Sequence, residues 1–203
     1  KSTPSFSGNQ DVGHLVKSLE IGATLSSGEL LRAASVLECT GRIKSYGKKE
    51  RDDEEGDSLT DRFDLLVPLT QLAGEIRRSI LEEDTFADDA SPGLRRVRKS
   101  KISLNDKIHS QLTGMVNGSC RTYLQDAVIT LRNNRYCIPV KSEYKNQVPG
   151  MIPDQSSSGS TLFIEPAAVV SLNNQLKELD LQEEKEIEEI LKELSVSAAQ
   201  HCD

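Results

Sequence analysis

One stretch in the middle of the chain concentrates side chains that could bind an anion. Guanidinium and ammonium groups are the donors that proteins most often place against phosphate oxygens, and serine hydroxyls add neutral donors. Glu143 is the only acid between the first and the last of the basic residues. The candidate anion-binding residues are Arg132, Arg135, Lys141, Lys145, Ser157 and Ser158. We favour binding of an anion, with nucleic-acid phosphate as the ligand, and the alternative is that these residues form a solvated face.

No residues at catalytic spacing accompany this stretch. The segment from Gly41 to Lys48 is the nearest approach to a phosphate-binding P-loop, but it has five intervening residues where the motif has four, and Lys49 stands where Ser or Thr is needed. The serine run lacks the Gly-x-Ser-x-Gly pattern of a hydrolase nucleophile. The histidines and cysteines are scattered without metal-ligand or redox spacing: His14, His109, His201, Cys39, Cys120, Cys137 and Cys202. We therefore predict no catalytic residue, no metal site and no cofactor site here.

The charge distribution agrees with an anion-binding middle segment. The net charge is −7, yet residues 92–147 hold 11 Lys/Arg against 3 Asp/Glu. Binding to phosphate depends on local charge, so this pattern favours a nucleic-acid contact centred on the basic segment. No apolar run approaches the ~20 residues that cross a bilayer, and no signal peptide opens the chain, which predicts a cytoplasmic protein without membrane contact.

Two β-hairpins should position the candidate residues. Asn133-Asn134 lies between alternating apolar and polar residues, which is the pattern of a two-residue hairpin turn. Two arginines opposite one another require solvent or an anion over them. Pro139 cannot donate to a strand ladder, so we expect an edge or a bulge there. A second hairpin is predicted from Val148 to Ile164, with the serine run as its flexible tip. The pairs predicted for the first hairpin are Arg132–Arg135, Leu131–Tyr136, Ile129–Ile138 and Ala127–Val140.

Shorter helices should precede the hairpins. Apolar residues at three- and four-residue spacing predict helices over residues 11–20 and 26–46, and over residues 62–82 with a break at Pro68. The strongly charged residues 47–61 predict an exposed loop.

Two longer helices should flank the hairpins, over residues 92–118 with Ser91 as the cap and over residues 166–198. The first is basic near its start and the second is acidic, so pairing them antiparallel would match opposite charges. The predicted fold is mainly α with a small antiparallel β insertion: a helical core and two long antiparallel helices that carry a β-hairpin head.

The hairpin stretch resembles the bacterial MutS paralogue family of the second type, MutS-two. The resemblance extends over nearly the whole chain, through Asp88-Asp89-Ala90-Ser91 and more weakly to Phe6-Ser7-Gly8. The residues that carry it are Arg135-Tyr136-Cys137-Ile138-Pro139-Val140-Lys141, Glu143-Tyr144, Gly150, Asp154-Gln155-Ser156, Ser158-Gly159, Thr161-Leu162-Phe163-Ile164-Glu165-Pro166 and Asn173-Asn174.

The resemblance implies a division of the chain and a larger parent protein. MutS-like proteins have two lever helices that carry a clamp, and the clamp closes over nucleic acid. The parent would be a dimeric ATPase that uses ATP and Mg²⁺ and has a C-terminal Smr nuclease domain, with roles in suppressing recombination through branched DNA or in rescuing collided ribosomes. The implied divisions are a helical core at 1–91, an ascending lever helix at 92–124, a β clamp at 125–166 and a descending lever helix at 167–203.

Two functions of different kinds follow from these observations. In the first, the chain is a nucleic-acid-gripping lever and clamp that contacts phosphates of branched DNA, or of ribosomal RNA as the variant. In the second, it is a structural lever that serves dimerisation or protein interaction and has no nucleic-acid affinity of its own.

Overall fold

The computed structural model describes residues 5–51 and 62–202. The chain forms two compact units, one of Lys1–Arg95 with Lys185–Asp203 and one of Arg96–Glu184. The helices are α1 (Gly13–Glu20), α2 (Ser27–Arg51), α3 (Thr70–Ser79), α4 (Pro92–Asn117) and α5 (Ala167–Ala199), and the strands are β1 (Ile80–Glu82), β2 (Thr85–Phe86), β3 (Thr130–Arg132), β4 (Arg135–Lys141), β5 (Gly150–Gln155) and β6 (Thr161–Pro166). The predicted fold class, mainly α with small antiparallel β-structure, is confirmed. Among the described residues, no helix is both long and apolar enough to cross a membrane.

The first unit is a helical core with defined helix starts. Ser26 and Glu29 form a reciprocal capping box at α2, in which the Glu29 N–H donates to Ser26 Oγ and the Ser26 N–H donates to the Glu29 carboxylate. At α4, Ser91 Oγ accepts from the Leu94 N–H at 2.9 Å, so the predicted cap is confirmed. Apolar residues of α1, α2, α3, the start of α4 and the end of α5 form one core: among them are Leu15, Leu30, Ile76, Leu94, Ile190 and Leu194.

The helix predicted over residues 62–82 is wrong at its end. Helical residues do lie on both sides of Pro68, but α3 stops at Ser79 and a two-stranded hairpin, β1–β2, follows. Asp84 turns the chain with φ of +60°, and its carboxylate and N–H both bond Ser27 Oγ at the start of α2. A tertiary contact therefore fixes this turn, which local apolar spacing could not predict.

The helix predicted over residues 26–46 is longer than its sequence pattern indicated. Helix α2 continues past residue 46 to Arg51. The rest of the predicted charged loop, residues 52–61, lies outside the described residues.

In the second unit, α4 and α5 run antiparallel beneath a four-stranded antiparallel sheet with the order β3-β4-β6-β5. The sheet packs one face onto the helix pair. Contributions to this core come from both helices and from the two central strands: Ile108, Leu112, Ile138, Val140, Leu162, Ile164, Leu172 and Leu176. The helix ends agree with the predicted long helices to within one residue.

Both predicted hairpins are present. Asn133 and Asn134 have φ of +50° and +58°, as a tight turn with two left-handed residues requires. The pairs Arg132–Arg135 and Leu131–Tyr136 are confirmed. The outer pairs are wrong, because the chain leaves the ladder before Thr130 and Leu124 takes the place opposite Val140.

Pro139 lies in a central strand without breaking a ladder. Its carbonyl accepts from the Gln125 N–H at 2.9 Å, on the side where β3 has already ended. The N and C=O of one strand residue point to the same side, so the proline nitrogen also faces away from β6. The expectation of an edge or a bulge at Pro139 is therefore wrong, because β4 is central and keeps a regular register with β6, and the Leu124–Val140 bridge continues the pairing on the other side.

Candidate nucleic-acid interface

The second face of the sheet holds the polar residues of the hairpins. Side chains alternate along a strand, so Arg135, Cys137 and Lys141 share the face opposite the apolar core of Ile138 and Val140. Their partners in β6, Glu165 and Phe163 among them, lie on the same face. This face therefore contains the three basic candidates that belong to β3 and β4, Arg132, Arg135 and Lys141, but it also contains acids from other strands.

The sheet curls over this second face. The Arg132 guanidinium, on edge strand β3, lies 3.9 Å from the centre of the Phe163 ring in β6 and 3.6 Å from the Asp154 carboxylate in β5, the other edge strand. Asn133 Nδ2 also donates to the Pro153 carbonyl at 2.9 Å. The β3–β4 turn thus reaches β5, where a bulge interrupts the ladder between Met151 and Asp154. The second face is the inside of a curled sheet rather than an open platform.

Arg135 is held by a buried carboxylate. Its Nε donates to Glu165 at 2.8 Å, its second nitrogen donates to the other Glu165 oxygen, and a third bond reaches Asn174 at 2.8 Å. The Glu165 residue is only 1% exposed and also accepts from Asn173 Nδ2 at 3.0 Å. The hydrogen bonds to Glu165 raise the pKa of Arg135. This guanidinium therefore forms an ion pair within the protein, where it neutralises the buried Glu165 carboxylate.

The expectation that almost no acids lie near the four basic candidates is wrong. The opposed arginines do have anions over them, as their pairing requires, but the protein supplies those anions itself: Glu165 for Arg135 and Asp154 for Arg132. The acids are 22 and 30 residues away in sequence, so only strand pairing brings them close. The buried acid was missed, although Glu165 and Asn173 both belong to the stretch that carries the family resemblance.

Cys137 lies beneath the two arginines and has no exposed surface. Burial raises the pKa of its thiol to about 12, and the nearby Glu165 carboxylate acts in the same direction. The thiol is therefore protonated at neutral pH, and it is structural rather than nucleophilic.

The remaining candidates lie together at the other end of the sheet. Lys141 ends β4 opposite Thr161, and the next residue, Ser142, donates its N–H to the Ser160 carbonyl at 3.0 Å. Lys145 is exposed on the short 3-10 helix Ser142–Gln147 that follows. No ion pair involves either lysine in the part of the chain that the structure describes. Lys141 therefore adjoins the tip of the second hairpin, and Lys145 follows it on the 3-10 helix.

The serine tip forms a hydrogen-bonded turn. Ser156 closes it, because its N–H donates to the Thr161 carbonyl and its hydroxyl accepts from the Thr161 N–H. Gly159 adopts φ of +70°, a conformation that glycine reaches without strain. Ser158 Oγ lies 2.8 Å from Ser160 Oγ, and Ser157 and Ser158 are both exposed. The tip thus presents hydroxyl donors at the end of the sheet where Lys141 lies.

The basic start of α4 is partly neutralised by α5 within the second unit. Arg98 bonds Glu183 at 2.7 Å, and Lys101 bonds both Asp180, at 2.7 Å, and Glu183. Burial alone would raise the pKa of Glu183, but hydrogen bonds from Lys101 and Arg98 outweigh it and lower that pKa. Burial alone would lower the pKa of Lys101, and its acidic partners raise it instead. The predicted antiparallel matching of charge is confirmed for these residues.

Among the described residues, no three His, Cys, Asp or Glu side chains come close enough to hold a metal ion.

The sequence is similar to proteins named endonuclease MutS2. No protein-family model matches the chain. It is 54% identical to the protein of Agathobacter rectalis over 98% of the chain, and 53% identical to that of Lachnoclostridium phytofermentans over 96%. The protein of Clostridium botulinum is 40% identical over the whole chain. The chain belongs to the MutS2 family. It spans about a quarter of the length of these MutS2 relatives.

Proposed function

We propose that this chain contributes the levers and the clamp of a MutS2 protein, and that the clamp grips the phosphate backbone of nucleic acid. In this proposal residues 92–124 and 167–203 serve as the levers, residues 125–166 are the clamp and residues 1–91 form the helical core. The contacts come from Lys141, Lys145 and the hydroxyls of Ser157 and Ser158. Arg135 pairs with Glu165 inside the clamp. Arg132 pairs with Asp154, but its side chain remains 42% exposed, so it is also accessible to a phosphate.

The observation that carries the proposal is the division of the basic residues into two groups. Arg98, Lys101 and Arg135 bond carboxylates of the same unit, whereas Lys141 and Lys145 form no ion pair with any described residue, and Lys141 adjoins an exposed serine turn. Unpaired cations beside neutral donors suit phosphate oxygens, since ammonium groups supply charge and hydroxyl groups fix position. Such contacts read no bases, so the proposed grip is independent of sequence.

Branched DNA is the ligand that we propose, with structured RNA of a ribosome as the variant. The name of the relatives, endonuclease, gives a nucleic acid as the substrate of those proteins. We further propose that nucleic-acid cleavage, ATP turnover with Mg²⁺ and dimer formation belong to the MutS2 protein as a whole and that this chain supplies binding alone. Nicking of plasmid DNA by the purified chain would contradict that assignment.

A charge-neutralising pair of substitutions tests the proposed grip. Lys141→Gln with Lys145→Gln removes two phosphate contacts, which should lower the slope of log affinity against log salt by about 1.8 for duplex DNA. The matched control is Lys177→Gln with Lys185→Gln, which removes the same charge from exposed lysines of α5. The binding assay is fluorescence anisotropy with a labelled four-way junction, and circular dichroism verifies the fold. We call the Lys141→Gln with Lys145→Gln protein the head variant. If its salt slope equals that of the unmodified chain, the proposed phosphate contacts are refuted.

A second candidate function rests on the exposed apolar side chains of the head. Val128, Leu131, Met151 and Ile152 are between 39% and 59% exposed, near or within the two edge strands of the sheet. Such residues suit a protein contact, including one with a second clamp. Sedimentation of the chain across a hundredfold range of concentration tests it: association that Leu131→Ser abolishes, without nucleic-acid binding, would favour the structural lever and dimerisation role.

A further inference from the structure

We propose a second anion site in the groove between α4 and α5, where two phosphates of one nucleic-acid strand bind Lys99 and Lys107. The proposal rests on the proposed function, because it gives the same ligand a second contact within the same unit. The groove has a volume of about 630 Å³ and lies wholly within the residues of the second unit.

The lining of the groove is polar on both sides. Helix α4 contributes Lys99, Ser103 and Lys107, which recur every four residues and so share one side of the helix. Helix α5 contributes Gln175 and Gln182, with Glu178 between them. Leu104 and Leu179 also line it. The groove therefore offers ammonium, hydroxyl and amide donors above apolar surface.

The charge balance of the groove differs from that of the neighbouring ion-pair network. Arg98 and Lys101 meet two acids of α5, Asp180 and Glu183, and none of the four lines the groove. Lys99 and Lys107 are exposed and share the groove with a single carboxylate, and in the described part of the chain neither forms an ion pair. Glutamine amides donate hydrogen bonds but carry no charge, so the groove keeps a net positive charge that an anion can neutralise.

The spacing of the lysines favours a ligand with two separated phosphates. Eight residues of helix place the two Cα atoms about 12 Å apart along the axis. Glu178 lies between the two glutamines on the facing helix and would repel a single phosphate placed midway. Two phosphates that flank Glu178, one near Lys99 and one near Lys107, avoid that repulsion. Non-adjacent phosphates of one extended strand meet this requirement, whereas inorganic phosphate does not.

The test combines binding with direct detection of the two lysines. Lys99→Gln with Lys107→Gln should lower the salt slope for a labelled single-stranded oligonucleotide by about 1.4, which is a loss of roughly 60-fold in affinity at 50 mM salt if the affinities converge near 1 M. The control is again Lys177→Gln with Lys185→Gln. In parallel, acetylation of lysines on the unmodified chain is followed by mass spectrometry with and without the oligonucleotide, and with inorganic phosphate. We expect the oligonucleotide alone to protect Lys99 and Lys107.

The outcomes separate this inference from the proposed function. Loss of affinity in the groove variant with protection of both lysines supports the groove site. A groove variant that binds like the control, or lysines that stay reactive in the complex, overturns it while the head variant still tests the clamp. Equal protection by inorganic phosphate overturns the requirement for a strand with two phosphates. Groove-dependent binding with an unaffected head variant refutes the proposed clamp contacts and leaves the groove site standing.

Discussion

Removal of Arg135 should destabilise the second unit strongly, because it leaves the Glu165 carboxylate buried without its counter-charge. Glu165 is 1% exposed, and Arg135 supplies two of its three hydrogen bonds. Breaking a buried ion pair by removing one partner costs about 3–5 kcal/mol, and we expect about 3 kcal/mol for Arg135→Met because the arginine itself is 18% exposed. With a typical dependence of about 2 kcal/mol per molar urea, the unfolding midpoint should fall by about 1.5 M.

The chain offers a matched control and a rescue for this substitution. Arg77 bonds Glu38 with two hydrogen bonds, but both side chains are about 40% exposed, so Arg77→Met should cost no more than about 1 kcal/mol. Replacing both partners of the buried pair, Arg135→Met with Glu165→Leu, should recover much of the loss because no charge remains buried.

Tyrosine fluorescence during urea unfolding reports on the correct unit. The chain has no tryptophan, and three of its four tyrosines, Tyr123, Tyr136 and Tyr144, belong to the second unit. If Arg135→Met shifts the midpoint no more than Arg77→Met does, the argument that the buried carboxylate depends on Arg135 is refuted.

Three further predictions concern pH, thiol chemistry and glycine. The pKa of Glu183 is lowered in the folded chain, so its pairing stabilises the fold above pH 4.5, and this stabilisation is lost as pH falls through the folded pKa. The pKa of Lys101 is raised, so its pairing contributes fully below pH 10.5, and this contribution is lost as pH rises through the higher folded pKa. Glu183→Gln should therefore flatten the acid side of a plot of urea midpoint against pH, and an unchanged acid side would contradict this account. Cys137 should resist a thiol reagent at pH 8 in the folded chain and react once urea unfolds it, because its pKa is about 12 and it is buried; peptide mapping that finds it labelled in the folded chain would contradict its placement. Gly150→Ala should destabilise the chain, because the added Cβ would lie 2.0 Å from the Glu165 carbonyl oxygen. Gly114→Ala is the control: it lies in a helix with nothing within 4 Å of its Cβ and should stabilise the chain by about 0.5–1 kcal/mol. Equal thermal midpoints for the two variants would show that the close approach at Gly150 is relieved at no cost.

Sequence patterns predicted those helices and hairpins that are determined by neighbouring residues, such as a cap or a turn. Apolar spacing and Ser91 predicted α4, and the Asn133-Asn134 turn predicted the pairing of Arg132 with Arg135. The β1–β2 hairpin escaped prediction because its turn is fixed by Ser27, 57 residues away.

The sequence indicated which basic residues belong to the candidate site, but not which of them pair with acids of the same sheet. The sequence brought the basic residues of the hairpins together as one candidate site, yet the stretch between them contains one acid and gives no sign that β5 and β6 carry Asp154 and Glu165 onto the same face. Which cations remain unpaired depends on strand order and on the curl of the sheet. Both of these are tertiary properties, so the division between Arg135 and Lys141 required the structure.

The proposed grip on phosphate is tested most directly by the salt dependence of nucleic-acid binding. Anisotropy with duplex DNA, a four-way junction and a structured RNA, each at a series of salt concentrations, gives the number of phosphate contacts from the slope. We predict binding that weakens with salt with a slope of at least about 1.8 in magnitude and that is tightest for the junction. Binding that does not change with salt, or no binding to any of the three ligands, would contradict the account.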